Sequence, residues 1–191
     1  MKKIIAMLLV LTMAMGLVAC GNNNGAESTT TAAAVEVPGT ALEILETIWG
    51  SYAEDEKFFA MGGDMNNMVD NAPGEYALDD EGITATLLVP EDQVALIDEA
   101  ASLVHGMMLN NFTCGVYRIA GDANEFADAM YKAISENRWM CGMPEQMIVA
   151  VIGGEYVLAS FGISDVMGNF EDKLVAAYPQ AVLKYNQAIT E

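Results

Sequence analysis

Basic residues are scarce in this chain. Against 27 Asp and Glu there are 8 Lys and Arg and one His, a formal charge of −19 over 191 residues. A field of that sign repels phosphate backbones and anionic headgroups, which excludes nucleic-acid binding as a main role. It draws cationic peptides or cations, or simply keeps the surface solvated. Cysteine is also scarce, with Cys20, Cys114 and Cys141 alone. The apolar run Ile4–Met15 falls short of the about 20 residues that a transmembrane helix needs. No phosphate-binding glycine loop is present, because Gly153-Gly154 sits between two apolar runs and reads as a hairpin turn.

The N-terminus carries a targeting pattern. Lys2 and Lys3 precede the short apolar segment, and Leu17-Val18-Ala19-Cys20 resembles a lipobox, the cleavage and lipidation motif of bacterial lipoproteins. Val18 stands where a small residue is more usual. The expected mature chain begins at Cys20, bound to membrane lipid on the extracytoplasmic face. Without Lys2 and Lys3 it has 27 acids against 6 bases, a formal charge of −21. The expected organisation is a signal peptide over 1–19, a lipidated cysteine and tether over 20–39, and a single α+β domain over 40–191. The tether is small, polar and unpatterned, and as a flexible coil it spans about 25 Å.

Thr40-Ala41-Leu42-Glu43 has capping-box spacing, and Leu42, Leu45, Ile48 and Trp49 continue it, predicting a helix over 40–50. Residues 51–82 read as mostly irregular, with a helical turn near 54–59. β-Branched residues ahead of Pro90 predict a strand over 83–89. Val94, Ile97, Ala101, Val104 and Met108 lie at helical spacing, predicting a helix over 91–108. A strand over 112–120 and a helix over 123–138 follow. The runs 147–152 and 155–161 predict a buried hairpin with Ile152 opposite Glu155. Ser164 or Asp165 is expected to cap a helix that stops before Pro179, and 181–187 closes as a strand. From Phe112 onward the order is strand, helix, strand, strand, helix, strand. This is the split βαβ pattern of a ferredoxin-like antiparallel sheet, expected with both helices on one face, plus an N-terminal helix and an extra strand.

No catalytic residue and no cofactor is read. Asp98, Ser102 and His105 bring together the residue types of a hydrolase triad, but a serine inside a helix has no sharp turn and no oxyanion donors. Trp139-Met140-Cys141-Gly142-Met143-Pro144 has one cysteine where a redox motif needs two. With Cys20 lipidated, Cys114 and Cys141 stand either as a disulfide contributing about 3 kcal/mol or as two buried free thiols. Asp64, Asn66 and Glu75 take three positions of a calcium loop, but Met68 and Val69 occupy places that need an oxygen ligand and glycine. A looser cation site using Asp64, Asp70, Glu75, Asp79, Asp80 and Glu81 remains. Methionines cluster as Met61/Met65/Met68, as Met107/Met108 beside His105, and as Met140/Met143/Met147. Thioethers select Cu(I), so Met140, Cys141 and Met143 are candidate metal ligands. Methionine also fills cores and lines adaptable peptide-binding surfaces.

At Glu54-Asp55-Glu56-Lys57-Phe58-Phe59-Ala60-Met61-Gly62-Gly63-Asp64, and again at Trp139-Met140-Cys141-Gly142-Met143-Pro144-Glu145, the chain resembles small clostridial surface lipoproteins often labelled bacteriocin transport accessory proteins. The resemblance implies an anchored accessory role in peptide export or immunity, with a peptide or a membrane transporter as partner. It supplies no catalytic residues. The alternative is an extracytoplasmic thiol-redox or copper-handling protein.

Overall fold

The computed structural model describes residues 39–79 and 81–190. The signal, Cys20 and nearly all of the tether lie outside the described residues. The helices are α1 (Ala41–Gly50), α2 (Gly82–Ala85), α3 (Ala123–Ser135) and α4 (Ser164–Ala177). The strands are β1 (Ala60–Gly62), β2 (Val69–Asp70), β3 (Gly74–Glu75), β4 (Ile97–His105), β5 (Phe112–Ile119), β6 (Gln146–Ile152), β7 (Tyr156–Gly162) and β8 (Val182–Ala188). They form one antiparallel sheet in the order β2-β1-β4-β5-β7-β6-β8, with β3 also pairing on β4. The fold is α+β, an open antiparallel sheet with helices packed on it.

Several elements form for local reasons. The Glu43 N–H donates to Thr40 Oγ1 at 3.1 Å, and the Glu43 carboxylate accepts from the Gly39 N–H at 2.8 Å. Glu99 on β4 accepts from the Ala41 N–H at 2.7 Å, so the sheet supplies the start of α1 with a further acceptor. Thr40→Ala is expected to lower stability by about 1 kcal/mol, read as a shift in denaturant midpoint. Asp122 caps α3 through the N–H groups of Asn124 and Glu125.

Other elements depart from the sequence reading. The segment 97–105 is a strand, not part of a helix. It is covered on both faces, so Ala100, Ala101, Ser102 and Leu103 are all buried, and a doubly buried strand shows no alternation to distinguish it from a helix. The expected strand over 83–89 is a short helical turn and a loop. Its Ile83, Leu87 and Val89 pack beneath the sheet face rather than pairing in it. The hairpin forms one residue out of the expected register. Ile152 pairs with Tyr156 and Val151 with Val157, which leaves Gly153, Gly154 and Glu155 in the turn. Both glycines have positive φ, 63° and 85°, and the exposed Glu155 is kept out of the ladder. Neither Ser164 nor Asp165 caps α4. Glu145 does so from across the chain, accepting from the Ser164 N–H at 2.9 Å.

The helices cover both faces of the sheet, not one. On the first face Ile44, Leu45 and Ile48 of α1 and Met167, Phe170 and Leu174 of α4 pack on Leu103, Phe112, Cys114, Ile148 and Leu158. On the second, Phe126, Ala127, Met130 and Ile134 of α3 pack with Tyr76 and Leu87 on Tyr117, Val149, Val157 and Phe161. The cause is strand order. Both crossovers are split βαβ units, β5-α3-β6 around β7 and β7-α4-β8 around β6. They move the same way across the sheet from strands of opposite direction, so right-handed crossovers place α3 and α4 on opposite faces. The ferredoxin-like arrangement needs the last strand beside β5, and β4 already occupies that edge.

A methionine-rich candidate site at one end of the sheet

Among the described residues, the end of the sheet where β4 turns into β5 and the adjoining β1–β2 hairpin carry nine of the twelve exposed large apolar residues. Phe59, Met65, Met68 and Val69 come from the β1–β2 region. Met107, Met108 and Leu109 come from the β4–β5 connection, and Met140 and Met143 from the segment before β6. Met65, Met107 and Met140 are 75%, 82% and 76% exposed. A monomer surface rarely concentrates apolar groups this way without a binding role.

The backbones beneath these side chains are tied together. The Gly106 N–H donates to Phe59 O at 2.9 Å, holding the connection against the lead-in to β1. The Asn110 side-chain amide donates to Met140 O at 2.9 Å and to Gly142 O at 2.5 Å. That bond pair fixes a turn in which Cys141 and Gly142 have φ of 63° and 108°. Thr113 Oγ1 donates to Leu109 O, and the Ile163 N–H to Asn111 O. Sequence reading identified three methionine groups. The structure places Met61, Met65 and Met68 on one cavity with His105, Gly106 and Leu109 of the β4–β5 connection, and Asn110 ties the Met140 backbone to that connection, while Met147 lies buried in the core.

A cavity of about 160 Å³ opens within this end, lined among others by Met61, Met65, Met68, Tyr76, His105 and Leu109. His105 stacks on Phe58 at 5.5 Å, and Phe58 meets Trp49 and Phe112 at 5.1 Å each, so an aromatic chain carries the rim into the core. His105 Nδ1 accepts from the Met107 N–H at 3.2 Å.

Asp64 organises the cavity wall and is 2% exposed. Its Oδ1 accepts from the N–H groups of Asn66 and Asn67, its Oδ2 from the Ala77 N–H, and the Asn67 amide reaches both oxygens. Burial alone would raise its pKa, but these bonds outweigh it and hold the carboxyl below its ordinary 3.8. A depressed carboxyl stabilises the fold above its unfolded value, about pH 4, and that contribution disappears as pH falls through the folded value. Asp64→Ala is expected to cost about 1–3 kcal/mol by leaving buried N–H groups without an acceptor. It should also flatten the acid limb of the stability curve below about pH 4, measured by denaturant unfolding at stepped pH.

The remaining sequence candidates separate. Asp98, Ser102 and His105 lie on strand β4, not a helix, with Ser102 and His105 on opposite faces of it. Ser102 is buried and its hydroxyl donates to Gly63 O at 3.1 Å. Among the described residues no group of three or more His, Cys, Asp or Glu is arranged to hold a metal ion. Asp80, from the looser acidic set, lies outside the described residues. Met140, Cys141 and Met143 are all exposed.

The two cysteines are free. Cys114 is buried on the α1/α4 face of β5, and burial pushes its thiol well above the ordinary value. Cys141 is exposed, in a segment whose Trp139 packs on Phe161 of the opposite face. The sheet stands between the two environments, so of the two alternatives the bridge is not formed, and of the two free thiols only that of Cys114 is buried.

No family model, curated protein or solved structure matches this chain.

Proposed function

We propose that this chain is a lipid-anchored extracytoplasmic protein with a non-enzymatic binding role, and that its methionine-rich end binds a cationic amphipathic peptide. The observation that carries the reading is that Phe59, Met107, Leu109 and Met140 sit on one tied backbone frame, with Met65 and Met68 lining a cavity beside Leu109. Flexible thioethers repack around varied apolar side chains, which suits recognition of peptides with little sequence constraint. The formal charge of −21 on the chain from Cys20 steers a cationic partner toward that surface. The lipobox resemblance of Leu17–Cys20 supports the anchor, and the likeness to accessory lipoproteins supports peptide export or immunity as the setting, with a membrane peptide transporter as neighbour. Among the described residues no helix is long and apolar enough to cross a membrane.

The test uses the full chain in mild detergent and a synthetic amphipathic peptide of Leu and Lys. Binding is expected to weaken steeply with salt. The triple variant Met107→Gln, Leu109→Gln, Met140→Gln removes apolar surface without changing charge and should lose roughly tenfold or more in affinity, each exposed apolar group contributing about 1 kcal/mol. Unchanged affinity in that variant would refute the site.

A further inference from the structure

We infer that the thioethers of Met61, Met65 and Met68 form a site for a soft monovalent metal ion, Cu(I) in chemical class. This inference does not rest on the peptide reading. All three residues line one cavity of about 160 Å³. Met61 sits on β1, Met65 in the turn after it and Met68 just before β2, so one short hairpin supplies the whole set. Neutral thioethers bind soft ions and leave calcium, magnesium and zinc to oxygen and nitrogen ligands. Asp64, the one carboxylate among the described residues of the wall, offers little to a hard ion, because the N–H groups of Asn66, Asn67 and Ala77 and the Asn67 amide already occupy its oxygens.

Charge points the same way. Asp64 is buried, and none of the ion pairs among the described residues includes it. Among the described residues its negative charge is met by N–H dipoles, those of Asn66, Asn67 and Ala77 and the Asn67 amide. A single positive charge held on neutral sulfur ligands beside it meets that one negative charge, whereas a divalent ion leaves an excess. His105 is wall rather than ligand. Its Nδ1 already accepts the Met107 N–H, and its ring is stacked on Phe58.

The experiment uses the full chain in mild detergent with Cys20→Ser and Cys141→Ser, so that thiols do not capture the metal. Ag(I) serves as a redox-inert probe, and Cu(I) is measured under ascorbate against a chromogenic chelator. One tight equivalent is expected. Met61→Leu, Met65→Leu, Met68→Leu should weaken it by roughly tenfold or more, while Met107→Leu, Met140→Leu, Met143→Leu leaves it unchanged. The peptide reading is tested by its own glutamine triple, which contains none of Met61, Met65 and Met68, so the two readings fail separately. If the first triple melts early, Met65→Leu alone, at the most exposed of the three, is expected to weaken binding several-fold. Equal Ag(I) affinity in both triples, no loss in Met65→Leu, or displacement of Ag(I) by equimolar Zn(II) would overturn the site.

Discussion

Phe170→Ala is expected to destabilise the protein by about 3–5 kcal/mol and to lower the melting temperature by roughly 10 °C. Phe170 is fully buried on α4 and meets Phe112 of β5 edge-on, with ring centroids 4.9 Å apart. The loss has two parts. The ring's transfer energy is forfeited, and the space it leaves is bounded by strands that cannot collapse into it, because α1 and α4 are both seated on the same face. The aromatic pair contributes about 0.5–1.5 kcal/mol beyond area burial. Val175→Ala on the same helix is the control. Its side chain is 43% exposed, and the change should stay within about 0.5 kcal/mol. Denaturant midpoints at unchanged slope distinguish the two. A small effect at Phe170 would mean that α4 is not seated on the sheet as described.

The second large effect is in thiol chemistry. With Cys20 replaced by serine, a disulfide-exchange reagent is expected to titrate one thiol in the native state, that of Cys141. Cys114 should react only after unfolding. The thiolate is the reactive form, and burial of Cys114 both suppresses it and bars the reagent. Protection at Cys114 should follow the free energy of opening, which for a domain of ordinary stability, about 5–15 kcal/mol, slows reaction by several orders of magnitude. Cys141→Ser should remove the fast phase and leave the slow one. Mass measured with and without reductant should show no internal bridge. Two fast thiols would revive the thiol-redox alternative, which the separation of Cys114 and Cys141 across the sheet opposes.

Legibility from sequence followed the range of the physics involved. Helix α1 was readable because its cap and apolar stripe are neighbours in the chain, and α3 likewise through Asp122 and Phe126, Met130 and Ile134. The β6–β7 hairpin was readable from two apolar runs around two glycines, although the added Glu155 in the turn moved the register by one. Strand β4 was not, since its two buried faces erase the period that identifies a strand. Strands β1, β2 and β3 span two or three residues each and carry no period at all. For the site, the methionine groups were visible, but their convergence was not. Asn110 had no sequence signal marking it as the residue that ties the turn at Cys141 to the β4–β5 connection.

By itself, then, the sequence determined the acidity, the α+β class, the capped helices, the hairpin and the identity of the soft side chains, because each depends on composition or on residues a few positions apart. Tertiary structure decided the rest. Once β4 took the edge of β5, β8 had to add beside β6, and the handedness of the crossovers then sent α3 and α4 to opposite faces. The same sheet brought Phe59, the 105–111 connection and residues 140–142 together, with the 61–68 hairpin lining a cavity beside them. Proximity between segments tens of residues apart is set by strand order and register, which no local pattern encodes.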